Sequence, residues 1–362
     1  MAPGYDLQDR IQNGLDELVA AGSEVGVQVA VVRRGRLVVD AVSGAGATSD
    51  SLFWAASTAK CVASSLAHVL VERGVLAYDL RLADVWPEFG VHGKQHVTLR
   101  HVLMHTAGVP GLPPDTTAAQ LCDVSLMCAQ LAAATPWWEP GTAIGYHAQT
   151  FGFLLGETIR RVTGATLTEV LHAELTGPLG IADEVHFGVP AALLDRVVAQ
   201  VPAGAPPEPE PGTPLARALP PGVRPTAAFA NRRDILTSDI ASFGTMSARG
   251  TARLLAGELG HVDGVDLVSP DRLAAMAAPA FSGLDQVMGF PTTWAFGYAP
   301  GRFGGVASRP GSAFGMVGAN GSAAWADIDS GVAMAVMRSR FVPGDLSAVQ
   351  LVDEAVARAY PG

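Results

Sequence analysis

Ser57-Thr58-Ala59-Lys60 places a hydroxyl three positions before an amine, at the head of a segment with helical spacing. On a helix, positions i and i+3 share a face, so the Lys60 amine can reach the Ser57 oxygen. A serine hydroxyl is a poor nucleophile until a base takes its proton. Lysine serves as that base once desolvation or a neighbouring cation lowers its pKa; arginine, always protonated, does not. The chain holds two lysines, Lys60 and Lys94, its other cations being arginines. That scarcity suggests lysine is kept where neutrality matters. The same four residues also suit an ordinary helix start, with Ser57 as N-cap and Lys60 solvated.

Working outward, residues 26–32 and 36–43 are β-rich runs around Arg33-Arg34-Gly35, a hairpin signal. Before them, Leu7, Ile11, Leu15 and Leu18 mark an amphipathic helix, with Asp6, Asp9 and Asp16 among its polar positions. After Ser57, residues 61–72 read as helix, stopped by Gly74. From 78 to about 280, helical segments (99–105, 151–162, 168–175) alternate with loops. Residues 202–225 carry many prolines with Glu208 and Glu210, which predicts a long surface loop, either a linker or a lid. Strands are predicted at 294–299, 322–327 and 332–338, the last two joined at Asp329-Ser330-Gly331, before a closing helix over 346–360. The economical architecture is one sheet built from both chain ends, with helices inserted. Residues 1–80 and 285–362 would form a discontinuous α/β sheet domain. Residues 81–284, including the 202–225 loop, would form a mostly helical one. Ser57 falls at the junction, where clefts form.

Composition narrows the function. The 362 residues allow a large core. A net charge of −10 argues against a nucleic-acid partner, and no lysine/arginine run suits an anionic membrane. No apolar run reaches membrane-spanning length, the one at 26–32 ending in Arg33-Arg34. Residues 1–24 lack the pattern of a signal peptide. Cys61, Cys122 and Cys128 are odd in number and hold no Cys-x-x-Cys pair, which reads as reduced thiols in a cytoplasmic protein. Nothing calls for a cofactor.

A Ser–Lys pair needs a route for its proton. Tyr146, in Gly145-Tyr146-His147-Ala148, is the best placed of five tyrosines, following the rigid turn Trp137-Trp138-Glu139-Pro140-Gly141-Thr142. A phenol beside an ammonium is expected to ionise more easily than usual. Oxyanion donors would be the Ser57 N–H and one from the glycine-rich 315–322 stretch. His101 and His105 stand at i, i+4, but no acidic or cysteine ligand accompanies them. Helix-surface and capping roles are expected rather than zinc. No Gly-x-Ser-x-Gly elbow, phosphate loop or dinucleotide fingerprint occurs.

Taken in order, Ser57-x-x-Lys60, Leu99-Arg100-His101-Val102-Leu103-Met104-His105-Thr106-Ala107-Gly108, Glu139-Pro140-Gly141-Thr142 and Gly145-Tyr146-His147-Ala148 resemble the serine β-lactamase superfamily. The likeness is nearest to its class C-like esterases, the family VIII carboxylesterases. It implies an α+β, β-lactamase/transpeptidase-like fold: an antiparallel sheet of five to seven strands, flanked by terminal helices, plus a mostly helical domain. It implies Ser57 as acylated nucleophile, Lys60 as its base and Tyr146 as proton shuttle. The third family motif maps onto Met316-Val317-Gly318, with the Ala319 N–H joining that of Ser57 in the oxyanion hole.

Two departures shape the expected substrate. The family's Tyr-x-Asn is Tyr146-His147-Ala148 here, and Met316 replaces a cation or imidazole. Losing one charge-assisted contact costs on the order of 1.5–3 kcal/mol. A neutral ester therefore suits a pocket of Phe314, Met316, Gly318, Trp138 and His147 better than a carboxylate-bearing β-lactam. The expected function is a serine hydrolase cleaving neutral carboxylic esters, its partner a small-molecule ester or acyl donor. The alternatives are an acyltransferase passing the acyl group to an alcohol or amine in secondary metabolism, and a non-catalytic binding protein on the same scaffold.

Overall fold

Arg34 at φ 47° and Gly35 at φ 79° fold the chain back through a two-residue loop. That loop joins β1 (Gly26–Arg33) to β2 (Arg36–Gly44), and two left-handed residues in sequence match the twist of paired strands. The computed structural model describes residues 3–204 and 208–360. The remaining strands of the main sheet come from the far end of the chain: β3 (Ala299–Pro300), β4 (Ala313–Val317), β5 (Ala323–Asp327) and β6 (Val332–Arg338). The six lie in the order β3-β4-β5-β6-β1-β2, every neighbouring pair antiparallel. β6 meets β1 over seven residue pairs, from Val27 opposite Arg338 to Arg33 opposite Val332. The fold is thus the expected β-lactamase/transpeptidase-like one, an antiparallel sheet built from both chain ends.

Five helices frame this sheet: α1 (Pro3–Ala20), α2 (Ala59–Glu72), α3 (Thr150–Thr163), α4 (Ala248–Glu258) and α5 (Ser347–Ala359). The central strands β1, β5 and β6 are buried on both faces, and the alternation of their side chains sorts them into two cores. Val27, Val29 and Val31 of β1 and Val332, Met334 and Val336 of β6 pack with Leu7, Ile11, Leu15, Val349 and Val352 of α1 and α5. The opposite face carries mostly alanine: Ala30, Ala324, Ala326, Ala333 and Ala335. Small side chains there let α4 lie close over β1 and β6, and let α2 run between β4 and α3. The helix α2 is therefore central. It is covered by the sheet on one side and by α3 on the other.

Two expectations are corrected. Residues 294–299 are not one strand. Trp294 ends a separate hairpin (Phe281–Leu284 with Pro291–Trp294), and the chain then turns at Gly297, φ 79°, before β3. The Ala295 N–H bonds to Tyr298 O and that of Gly297 to Leu103 O, so these donors are spent on the turn. The proline-rich 202–225 segment is not all loop either; its residues 205–207 lie outside the described residues. Thr213 caps a short helix, Pro214–Ala218, by accepting the Ala216 N–H, and Pro214 occupies a position where no N–H is needed. That segment roofs a cavity of about 530 Å³ bounded by Leu112, Leu131 and Trp137, with the Arg217 guanidinium 4.2 Å from the Trp137 ring.

At the end of β6, Arg338 is wholly buried. Its Nε donates to Glu24 at 3.1 Å and its Nη2 to Asp345 at 2.9 Å, tying the loops at the sheet's end together. Removing the cation leaves a buried carboxyl unpaired, which typically costs about 3–5 kcal/mol. Arg338→Ala is expected to lower the urea midpoint by a corresponding amount. An unchanged midpoint in chemical denaturation would show that the pair does not hold the sheet.

Candidate active site

From Ser51 to Leu70 every residue is buried except Ser57. Its exposure is set by the backbone before it. Leu52–Trp54 forms a short strand, the Ala55 N–H bonds to Gly244 O at 2.8 Å, and Ala56 adopts φ 48°. A left-handed alanine is strained, and such strain persists only where the surroundings over-determine the chain. The 3-10 turn Ala56–Thr58 then leads into α2, with Ser57 at its crest. Thr58 Oγ1 donates to Ser322 O at 2.9 Å, fixing this turn to the start of β5.

Lys60 lies one turn on, fully buried. Its Nζ is 3.1 Å from Ser57 Oγ, 2.8 Å from Ala148 O and 2.9 Å from Ser242 O. Burial lowers its pKa from 10.5 to about 7. The amine is surrounded by acceptors that carry no full charge, so either protonation state is accessible near neutrality.

Tyr146 completes the group. Its phenol lies beside the Ser57 side chain, and its ring centre is 5.3 Å from Lys60 Nζ. It stacks on Trp294 at 5.8 Å with planes 4° apart, and His105 lies 4.9 Å away. The expectation of an easily ionised phenol is corrected. Burial raises the phenol pKa well above 10, the Ser57 side chain beside it offsets part of that, and the Asp285 carboxylate raises it further. Tyr146 is a proton-bearing group in the resting site.

Three successive N–H groups fix this tyrosine's backbone. That of Gly145 donates to His105 O at 3.0 Å, that of Tyr146 to both Asp285 oxygens at 3.1 Å, and that of His147 to His105 Nδ1 at 3.1 Å. On the opposite side of Ser57, Gly318 approaches so closely that a Cβ there would stand 2.4 Å from Ala55 O. The Gly318 N–H bonds to Ser322 O, whereas the adjacent Ala319 N–H donates to no acceptor among the described residues.

A family model described as Beta-lactamase matches residues 11–357. The chain belongs to the β-lactamase family. It is a serine hydrolase of that family. It is 31% identical over 342 residues to the esterase/β-lactamase LipL of Mycobacterium tuberculosis, covering 88% of this chain and 77% of that protein. Among solved structures, a family VIII carboxylesterase superposes with a TM-score of 0.87 at 29% identity, over 98% of this chain and 97% of that one. A penicillin-binding protein homologue from Caulobacter crescentus superposes with 0.84 at 33% identity, over 98% of each. No helix of the described residues is long and apolar enough to cross a membrane.

Against this β-lactamase-family frame, the expected pocket residues divide. Met316 and Gly318 lie on the β4 end that meets the Ser57 turn, although Met316 is only 4% exposed. Phe314 is wholly buried, edge-on to Tyr298 at 4.9 Å, and belongs to the core. His147 is buried as well. Its Nδ1 lies 2.6 Å from Gly145 O and its Nε2 accepts the Val109 N–H at 3.1 Å, so the ring is a neutral clamp with its proton on Nδ1. Burial lowers its pKa to about 4. Trp138 half-covers this clamp, its ring filling the space a side chain on Gly145 would need.

Of the two spaced histidines, His101 caps its helix through Thr98, as expected. His105 does not sit on a helix surface. It is buried at φ 56° and accepts the His147 N–H, which places its own proton on Nε2. Asp285, Trp294 and Ser242 escaped the sequence reading, because an aspartate in a turn and a serine in a loop carry no spacing signal. Gly318→Val is expected to push β4 off Ala55 and cut turnover of a test ester by about a hundredfold, the scale of a 1 Å misplacement. Unaltered kcat in steady-state assays would show that the close approach is dispensable.

Proposed function

We propose that this protein cleaves neutral carboxylic esters through an acyl-enzyme on Ser57. The observation that carries the reading is the environment of Lys60 Nζ. In the neutral amine, two N–H groups point at Ala148 O and Ser242 O. The lone pair is then left facing Ser57 Oγ at 3.1 Å. Lys60 takes the Ser57 proton as Oγ attacks the ester carbonyl. The N–H groups of Ser57 and Ala319 stabilise the oxyanion. Tyr146, beside Ser57, passes a proton to the departing alcohol as it receives the one held by Lys60, so both groups return to their resting states, and water then releases the acid by the reverse route.

The absence of charge at position 316 supports a neutral ester. Two arginines that might have replaced that charge are committed elsewhere: Arg302 bonds to Asp353 at 2.7 Å and Arg309 to Asp329 at 2.9 Å. The name of the mycobacterial relative joins esterase with β-lactamase. The ester branch is the one Met316 favours. Hydrolysis is preferred to acyl transfer because the described part of the proline-rich segment roofs the Trp137 cavity, whose lining includes none of Ser57, Lys60 or Tyr146.

Four measurements test this reading. Ser57→Ala is expected to abolish labelling by an active-site phosphonate with little change in Tm; labelling that persists would remove Ser57 from the mechanism. Lys60→Arg, whose guanidinium cannot lose its proton, should cost at least about a hundredfold in kcat. In wild type, the rate should fall as pH drops through about 7, where the amine takes up a proton and loses its lone pair. A rate independent of pH between 5.5 and 8.5 would deny Lys60 the role of base. Partition of the acyl group between water and added alcohols, followed by intact mass, separates hydrolase from acyltransferase.

A further inference from the structure

Asp285 is a carboxylate without a cation. It is 2% exposed, and among the described residues no lysine or arginine pairs with it. Isolated charge of this kind is costly unless main-chain donors satisfy it. Here three do. Oδ1 accepts the N–H groups of Val287 and Met288, both at 2.8 Å, and both oxygens accept that of Tyr146 at 3.1 Å.

Asp285 sits where the hairpin of Phe281–Leu284 and Pro291–Trp294 turns over. The Gln286 N–H bonds to Ile144 O at 2.8 Å, so this turn docks on the main chain of Ile144 and Tyr146 with consecutive residues. At the other end of the same hairpin, Trp294 stacks on the Tyr146 ring. One hairpin therefore grips Tyr146 twice, by backbone and by ring.

We propose that Asp285 is a positioning residue for the reaction: it fixes the main chain of Tyr146 and thereby the place of the Tyr146 hydroxyl relative to Ser57. The inference rests on the reading of Tyr146 as proton shuttle. An amide replaces this carboxylate only in part. With Oδ1 kept by Val287 and Met288, an asparagine retains one 3.1 Å acceptor for the Tyr146 N–H but turns its NH2 toward the same N–H, donor against donor, in place of the 3.1 Å bond to Oδ2.

The test is a double-mutant cycle between Asp285→Asn and Tyr146→Phe, with kcat and KM for a p-nitrophenyl ester and Tm for each protein. Asp285→Asn alone should lower kcat by about tenfold to a hundredfold with KM little changed. In the Tyr146→Phe background it should lower kcat no further, because no hydroxyl remains to be misplaced, while Tm falls equally in both backgrounds. Equal kcat losses in the two backgrounds would make Asp285 a merely structural residue and overturn the proposal. So would an unchanged kcat in Asp285→Asn beside a slow Tyr146→Phe, an outcome that leaves the role of Tyr146 standing. A fully active Tyr146→Phe would overturn that role and this inference together. Asp285→Glu, which keeps the charge but moves it by one methylene, goes through the same cycle, so failure of the asparagine variant to fold leaves the question decidable.

Discussion

One nitrogen holds the site together. Lys60 Nζ reaches carbonyls 88 and 182 residues further along the chain, and a hydroxyl three residues before it. The pKa near 7 follows from burial, and no charged partner is there to raise it again. A carboxylate in place of either carbonyl would lock the amine as an ammonium. Carbonyls accept its hydrogens in either state and leave the proton count free. Ser242 serves this arrangement with its side chain as well, since its Oγ accepts the Gly152 N–H at 3.0 Å and donates to Gln149 O, anchoring the start of α3.

Around that nitrogen the protein spends its polar groups on fixing backbone rather than on adding charge. His147, His105 and Asp285 account for the donors of residues 145–147 and for the loop at Val109. Both imidazoles are buried, and burial keeps both neutral. The result is a rigid shelf under Tyr146, with Trp294 on one face of its ring. The opposite wall depends on a missing side chain, at Gly318, and on a strained alanine, at Ala56. Precision comes from packing and main-chain bonds, and the residues that supply it are mostly invisible to solvent.

The strands and terminal helices were legible because their signals are local: the 26–44 hairpin, the 332–338 strand and the leucine spacing of α1 all lie where the sequence puts them. The 294–299 strand failed because tertiary bonds to Leu103 claimed its donors, which no periodicity reveals. The proline-rich segment was misjudged for a different reason, Thr213-Pro214 being a helix start as readily as a helix stop. Ser57, Lys60 and Tyr146 were found by pattern, and the structure brings them together. Phe314 and His147 were misplaced because alternation along a strand or a motif tells which residues lie near, not which way they are consumed. The scarcity of lysine was also over-read. Lys94 is buried in much the same manner as Lys60, donating to Ala132 O and Ala134 O with its amine 5.2 Å from the Phe89 ring.

That second buried amine has a consequence for the outer surface. Both lysines lie wholly inside, so every side-chain cation that meets solvent is a guanidinium or an imidazole. Activated acyl groups modify primary amines readily and guanidinium groups hardly at all. A hydrolase that works through acyl groups would therefore present them with no lysine side chain to modify. The same fact leaves its side chains without an accessible target for amine-directed cross-linkers, and side-chain attachment chemistry must use carboxylates or the half-buried Cys122 thiol instead.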